Sequence, residues 1–277
     1  MAIDQFALSS TNDPNCFTWQ PSPLLLTPAT TMQGGAGLGA ATAAMEAATG
    51  RPLVWATAQY LSFAAGTDAI DIDVTIEVAG HQTSQARCVL SRAGVEILTA
   101  HGALGRRQLD FEGVWCTRPE VAEPEQCEPY RFFQRGRGHA GDLAEFRLAH
   151  GRQLDVIESS GGRGDGSFAL WIRCWPGQRV ATASDLAFIG DFMPLGFAEA
   201  MGAPYAGNSL DNTIRIGRLV ATEWVLMSVH VQQVVNGFGY GRAELWAEDG
   251  TLLGEVSQTA VLRLHSRIRE VGRPPRT

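Results

Sequence analysis

The sequence predicts an α+β fold built from two tandem repeats, each a buried central helix wrapped by a curled antiparallel sheet. Three observations carry that prediction. First, the chain resembles itself: a shift of 156 residues lays Gly34 to about Leu104 over the stretch that starts at Gly190, without a gap. Second, each half opens on an apolar segment with the look of a buried helix, AGLGAATAAMEAA in the first and FMPLGFAEAM in the second. Third, each segment is followed by runs of alternating or β-branched residues separated by turn signals.

The elements follow in order. In the first half the strand-like runs are LVWATAQYLSF, DAIDIDVTIEVAG, TSQARCVLSR and EILTAHGAL. In the second they are LDNTIRIGRL, EWVLMSVHVQQVV, YGRAELWAE and LLGEVSQTAVLRL. AAGTD, AGHQT, SRAG, VNGFG and AEDG separate them, and EDG is a tight hairpin signal. A helix followed by a long meander means a sheet curled around that helix. The expected organisation is an N-terminal repeat over 1–111, a partly ordered linker over 112–166, and a C-terminal repeat over 167–277 with a disordered tail. The linker reading rests on CTRPEVAEPEQCEPY, RGRGH and SSGGRGDG, where proline removes donors and glycine and charge favour solvent. A short apolar strand is expected near FRLAHGRQLDVIE, and RGRGH reads as a solvated loop.

Composition excludes several functions. The net charge of −7 gives no basic face for nucleic acid. No apolar run is long enough to span a membrane, and MAIDQFALSS has neither the basic start nor the apolar run of a signal peptide. Cys16, Cys88, Cys116, Cys127 and Cys174 are scattered and odd in number, which suits reduced thiols in the cytoplasm. The six histidines show no metal-ligand spacing, so neither a metal nor another cofactor is expected. The cluster GGAGLGA invites a dinucleotide reading. Its glycines at 34, 35, 37 and 39 do not fit GxGxxG, and the surrounding pattern is a meander rather than βαβ. It reads instead as a helix start whose small residues pass close under a sheet.

Several segments, in order, resemble the TesB-like acyl-CoA thioesterases (the acyl-CoA thioesterase II type). They are MQGGAGLGAA, LVWATAQYLSFAAG, ALWIRCWPG, LAFIGDFMP, NSLDNTIRIGR, EWVLMS and LGEVSQTAVLR. The resemblance covers about residues 20 to 265. It implies a double hotdog fold and hydrolysis of the thioester of fatty acyl-CoA, giving free acid and CoA. In that family an Asp, a Thr or Ser, and a Gln hold the attacking water. The matching positions are Asp191, Ser209 and Gln258. The family often has Thr where this chain has Ser209, and some members place a His where this chain has Ala58. A degenerate member that binds acyl-CoA or a protein partner without turnover is the competing reading.

The residues have their own readings beside the resemblance. Asp191, at or near the start of a buried helix with Pro194 after it, reads from its residues alone as an N-cap with a lowered pKa ahead of a catalytic group, an order the resemblance reverses. Such a carboxylate would orient water rather than deprotonate it early. Ser209 ends a turn, and Gln258 is an amide on an apolar strand that needs partners. Asp211 and Asn212 are nearby polar alternatives. The 156-residue shift sets Asp191 on Gly35, Ser209 on Leu53 and Gln258 on Gly102, the pattern that one active site per chain would produce. The oxyanion needs donors, and two helix starts are candidates, at Gly34-Gly35 and near Asp191. Gly34, Gly35, Tyr60 and Asp211 are the expected substrate-binding residues. Trp55, Tyr60, Phe63, Phe192, Met193 and Phe197 are candidates for an acyl tunnel or for plain core. Long sheet edges predict a homodimer or higher homo-oligomer.

Overall fold

The computed structural model describes residues 4–131, 144–174, 180 and 182–264. The chain opens on two short strands, β1 (Ser9–Ser10) and β2 (Cys16–Trp19), before α1 (Gly34–Thr49). The four strand-like runs of the first half then form β3 (Leu53–Tyr60), β4 (Ile70–Ala79), β5 (Thr83–Arg92) and β6 (Val95–Gly105). In β4 the alternation is visible residue by residue. Ile70, Ile72 and Val74 are buried, while Asp71, Asp73 and Thr75 face solvent, because successive side chains leave a strand on opposite faces.

Residues 112–166 contribute β7 (Glu128–Pro129), β8 (Ala144–His150) and the short helix α2 (Leu154–Ser160). β8 pairs with β9 (Ser167–Cys174). The Pro/Glu-rich stretch ahead of β7 lies across the outer face of the sheet. Ala122 accepts from the Trp171 indole, and Arg118 stacks on the same ring. RGRGH and the C-terminal tail lie outside the described residues.

Two helices follow, α3 (Ala183–Gly190) and α4 (Gly196–Met201), joined by one 3₁₀ turn over Met193–Leu195. The second-half runs then form β10 (Tyr205–Ile216), β11 (Val225–Val235), β12 (Phe238–Ala247) and β13 (Leu252–Leu264). All pairings are antiparallel, in one sheet of order β1-β2-β4-β5-β6-β3-β10-β13-β12-β11-β9-β8-β7. Its two edge strands, β1 and β7, are two residues long. That is one way a sheet limits uncontrolled edge pairing.

α1 packs inside β3–β6, α3 lies against β10, β12 and β13, and α1 and α3 pack on each other. Small residues make this possible: Ala36, Ala40, Ala41 and Ala44 are fully buried, and Leu38 and Met45 fill the space beside them. Burying each of those two larger side chains contributes about 1.5–3 kcal/mol.

The seam between the halves is the β3–β10 pair. Thr57 and Thr213 face each other across it, with their hydroxyls 2.7 Å apart. They are 156 positions apart, so the repeat axis passes between them. The strands keep that spacing, but the helices do not. The left-handed glycines that end them, Gly50 (φ 64°) and Gly202 (φ 65°), are 152 positions apart. The gap-free register expected from sequence therefore fails over the helices.

A second correction concerns Asp191. The helix in which it lies starts well before it, at a capping box in which Thr182 and Asp185 satisfy each other's backbone N–H. Asp191 is the C-cap of α3, not an N-cap. The apolar run beginning at FMP hid this start, because TASD is the real entry signal.

Candidate functional site

Pro194 shapes the site. Its nitrogen carries no hydrogen, so the carbonyl of Gly190, four residues back, loses its helical donor. Gly190 O accepts instead from Gln258 Nε2 of β13, at 3.3 Å. The helix breaks there, and the Asp191 side chain meets β10, β13 and the start of α1.

Two amides hold the carboxylate. Asn212 on β10 and Gln258 on β13 are directly opposed in the sheet register. Gln258 Nε2 donates to Asp191 Oδ1 at 3.0 Å, and Asn212 Nδ2 donates to the same oxygen at 3.2 Å. Ser209 Oγ donates to Gln258 Oε1 at 3.1 Å, which fixes which end of that amide faces Asp191. A β-bulge makes the arrangement possible. Residues three apart on a regular strand lie on opposite faces. The register slips between Ser209 and Asp211, so Ser209 and Asn212 reach the same site.

The first half supplies the third donor to the carboxylate. The backbone N–H of Gly35 lies at the Asp191 carboxylate and favours its charged form. A Cβ on Gly35 would stand 2.5 Å from Asp191 Cβ and 2.6 Å from the Ala187 carbonyl oxygen, so only glycine lets α1 come this close. Gln33 caps the helix by accepting from Ala36 N–H at 2.8 Å. That leaves Gly34 N–H, at the first helical position, with no intrahelical acceptor. Gly35 is thus not the counterpart of Asp191, as the sequence register suggests, but its partner.

Burial pushes the Asp191 pKa up, and the donors at Gly35, Gln258 and Asn212 draw it back, leaving it at about 7. The lowered value expected of an N-cap is overturned. The cause is position: Asp191 stands at the carbonyl end of its own helix, deep against protein, yet half-buried rather than sealed from water. A carboxylate near neutrality is matched to taking a proton from water at physiological pH.

Of the other residues singled out in the sequence, Tyr60 reaches this cluster: a Cβ on Gly34 would lie 2.9 Å from its hydroxyl oxygen. Asp211 serves the bulge, its Oδ1 accepting from Thr259 N–H at 2.9 Å. Ala58 is buried directly opposite Asn212. Phe192, Met193 and Phe197 are core, and Phe63 is 72% exposed. The role of Asn212 was not legible in sequence, because only the bulge turns it inward; its pairing with Gln258 is the signal that finds it. A groove of about 910 Å³, bordered by Met201, Val231, Val234 and Leu262, includes none of these site residues. No group of three His, Cys, Asp or Glu among the described residues is placed to hold a metal. All five cysteines are free, and no described helix is long and apolar enough to cross a membrane.

The comparisons with known proteins agree with this architecture. No curated protein matches the chain in sequence. A solved structure from Novosphingobium aromaticivorans, assigned as a thioesterase, is 28% identical over 93% of this chain and 98% of its own, with a TM-score of 0.81. The fold is shared by a tesB protein of Mycobacterium avium subspecies paratuberculosis, at 18% identity over 94% and 97% of the two chains, TM-score 0.74. It is shared as well by the acyl-CoA thioesterase II TesB2 of Mycobacterium marinum, at 14% identity over 98% of each, TM-score 0.73. The family model of the acyl-CoA thioesterase C-terminal domain matches residues 124–262, the half that carries Asp191, Ser209, Asn212 and Gln258. With its α+β double-hotdog fold and that match, the chain belongs to the TesB-like acyl-CoA thioesterase family.

Proposed function

We propose that this protein hydrolyses fatty acyl-CoA to free acid and CoA, at a single site per chain formed by Asp191, Gln258, Ser209 and the first turn of α1. One observation carries the reading: a carboxylate with a pKa near 7, held by two side-chain amides and a helix-start N–H. A water on the exposed side of Asp191 gives it a proton as it attacks the thioester carbonyl. The Gln258 amide keeps the carboxylate aimed, and Ser209 keeps the amide aimed. Negative charge develops on the carbonyl oxygen, and the N–H of Gly34, without an intrahelical acceptor at the positive end of α1, is the donor we assign to it. The intermediate collapses with cleavage of the C–S bond. The proton held by Asp191 passes to the departing CoA thiolate, and the carboxylate is restored.

The protein needs no cofactor for this chemistry. We place it in the cytoplasm, as its reduced cysteines suggest. A homodimer or higher homo-oligomer is the proposed assembly. Its support is no longer long edges but apolar side chains left exposed on β11 and β12, including Val235 and Phe238.

The test is release of free thiol from a series of short- to long-chain acyl-CoAs by wild-type protein and by Asp191→Asn. Turnover in the wild type and its loss in the variant are expected. Binding of acyl-CoA with no thiol release from any chain length would establish the binding-only alternative instead.

A further inference from the structure

Two buried polar atoms beside Asp191 are left over by the chemistry above. The Tyr60 hydroxyl and Asn212 Oδ1 are both shielded from solvent, and neither forms a hydrogen bond of ordinary geometry. Unsatisfied buried polar atoms are rare and costly, so two together call for a reason. The sheet register brings them into one neighbourhood. Ala58 on β3 is directly opposite Asn212 on β10, and Tyr60 is two residues along β3 from Ala58. It is therefore a diagonal neighbour of Asn212 on the same face, within reach of an aromatic side chain. The phenol lies against the Asn212 amide and within the field of the Asp191 carboxylate.

We propose that Tyr60 is a positioning residue: its hydroxyl pins the Asn212 amide in the orientation that donates to Asp191, so the first repeat tunes the base carried by the second. The hydroxyl can give its proton to Oδ1 or take the second N–H of the amide. Either contact fixes the plane of an amide that is otherwise free to turn its oxygen toward the carboxylate. Burial, chiefly, holds the phenol far above its usual pKa, so it remains a neutral O–H and never a competing anion. Gly34 is part of the same device, since any side chain there would run into the Tyr60 ring. The titratable groups around Asp191 from the packed elements are Tyr60 of β3, which Asp211 of β10 also faces, and Tyr205 of β10. α1 and β13 contribute only neutral donors to it, the Gly35 N–H and the Gln258 amide. The pKa of Asp191 is thus set by burial, by the Gly35 N–H and by the two amides, with no described cation at hand.

This inference rests on Asp191 being the base, but its test does not need turnover. In full-length protein carrying carboxyl-labelled aspartate, the Asp191 resonance, assigned by its loss in Asp191→Asn, is titrated by NMR. In Tyr60→Phe, which removes one oxygen and keeps the ring, the midpoint is expected to rise by about one pH unit. In Asn212→Leu it should rise by at least as much. Adding Tyr60→Phe to Asn212→Leu should then move it no further, because the hydroxyl acts only through the amide. A thermal melt confirms that each variant is folded. An unchanged midpoint in Tyr60→Phe overturns the proposal, as does an equal further rise in the double variant. If the wild type hydrolyses no acyl-CoA while these shifts occur, the functional reading fails and the positioning role stands. If turnover is present, the acid limb of its pH profile should move with the NMR midpoint.

Discussion

The two repeats start from the same plan and differ where it matters. In the first, residues Gly34–Thr49 form one unbroken helix whose glycine-rich start carries no side chain toward the site. In the second, the equivalent stretch is broken at Asp191 to Leu195, because Pro194 cannot continue the hydrogen-bond ladder. The first copy gives backbone donors and closeness. The second gives the carboxylate and the amides. The difference teaches that duplication freed each half to keep only part of a site: Gly35 is small so that Asp191 can be where it is.

The comparison is broken most severely by removing the side chain that the second half alone possesses. Asp191→Asn should lower kcat/KM for acyl-CoA about a hundred- to ten-thousand-fold in steady-state assays, the usual worth of a general base. The wild-type profile of kcat/KM should climb through about pH 7, where Asp191 ionises, and that limb should be absent in the variant.

Next comes the contact between halves. Gly35→Ala puts a methyl into Asp191 and the Ala187 carbonyl. It should cost about 1–3 kcal/mol of stability by urea denaturation. It should also cost on the order of a hundredfold in kcat/KM, because the base is displaced by roughly an ångström. The same substitution at Gly50, where no neighbour lies within 4 Å, leaves the site untouched.

Stability sharpens the contrast. Because the folded pKa of Asp191 is raised, the protonated carboxyl favours the folded state. That contribution is full below the unfolded pKa of about 4 and is lost as pH rises toward about 7. Asp191→Asn should therefore stabilise the protein by a few kcal/mol more at pH 8 than at pH 4, read as the difference in urea midpoints. An equal effect at both would mean that Asp191 titrates normally.

The smallest effect is expected at the axis itself. Thr57→Val removes one hydroxyl of the Thr57–Thr213 pair. It should cost about 0.5–1.5 kcal/mol in thermal or urea unfolding and leave kcat/KM unchanged.

Much of this was legible beforehand. The eight strands of the meander follow from alternation such as AIDIDV and from turn signals, since a strand shows its two faces directly in sequence. Ser209 and Gln258 were found by motif, and they stand 3.1 Å apart. The helix around Asp191 was misread, because FMPLGFAEAM is as apolar as the segment before it and pattern alone does not say which of two apolar stretches begins the helix. β2 and the part of residues 112–166 that joins the sheet were faint for a related reason. Their strands are short, and β8 alternates weakly.

The sequence by itself determined the repeated helix-and-meander plan, because periodicity and turn chemistry are local properties. It also named a carboxylate, a hydroxyl and an amide. Only the tertiary structure decided how they are brought together. The break at Pro194 frees Gly190 O for Gln258, the bulge after Ser209 turns Asn212 inward, and α1 from the other half brings Gly35 to Asp191. Each of these depends on residues far apart in the chain. The pKa of a carboxyl is set by what surrounds it, so no reading of Asp191 alone could have placed it near neutrality.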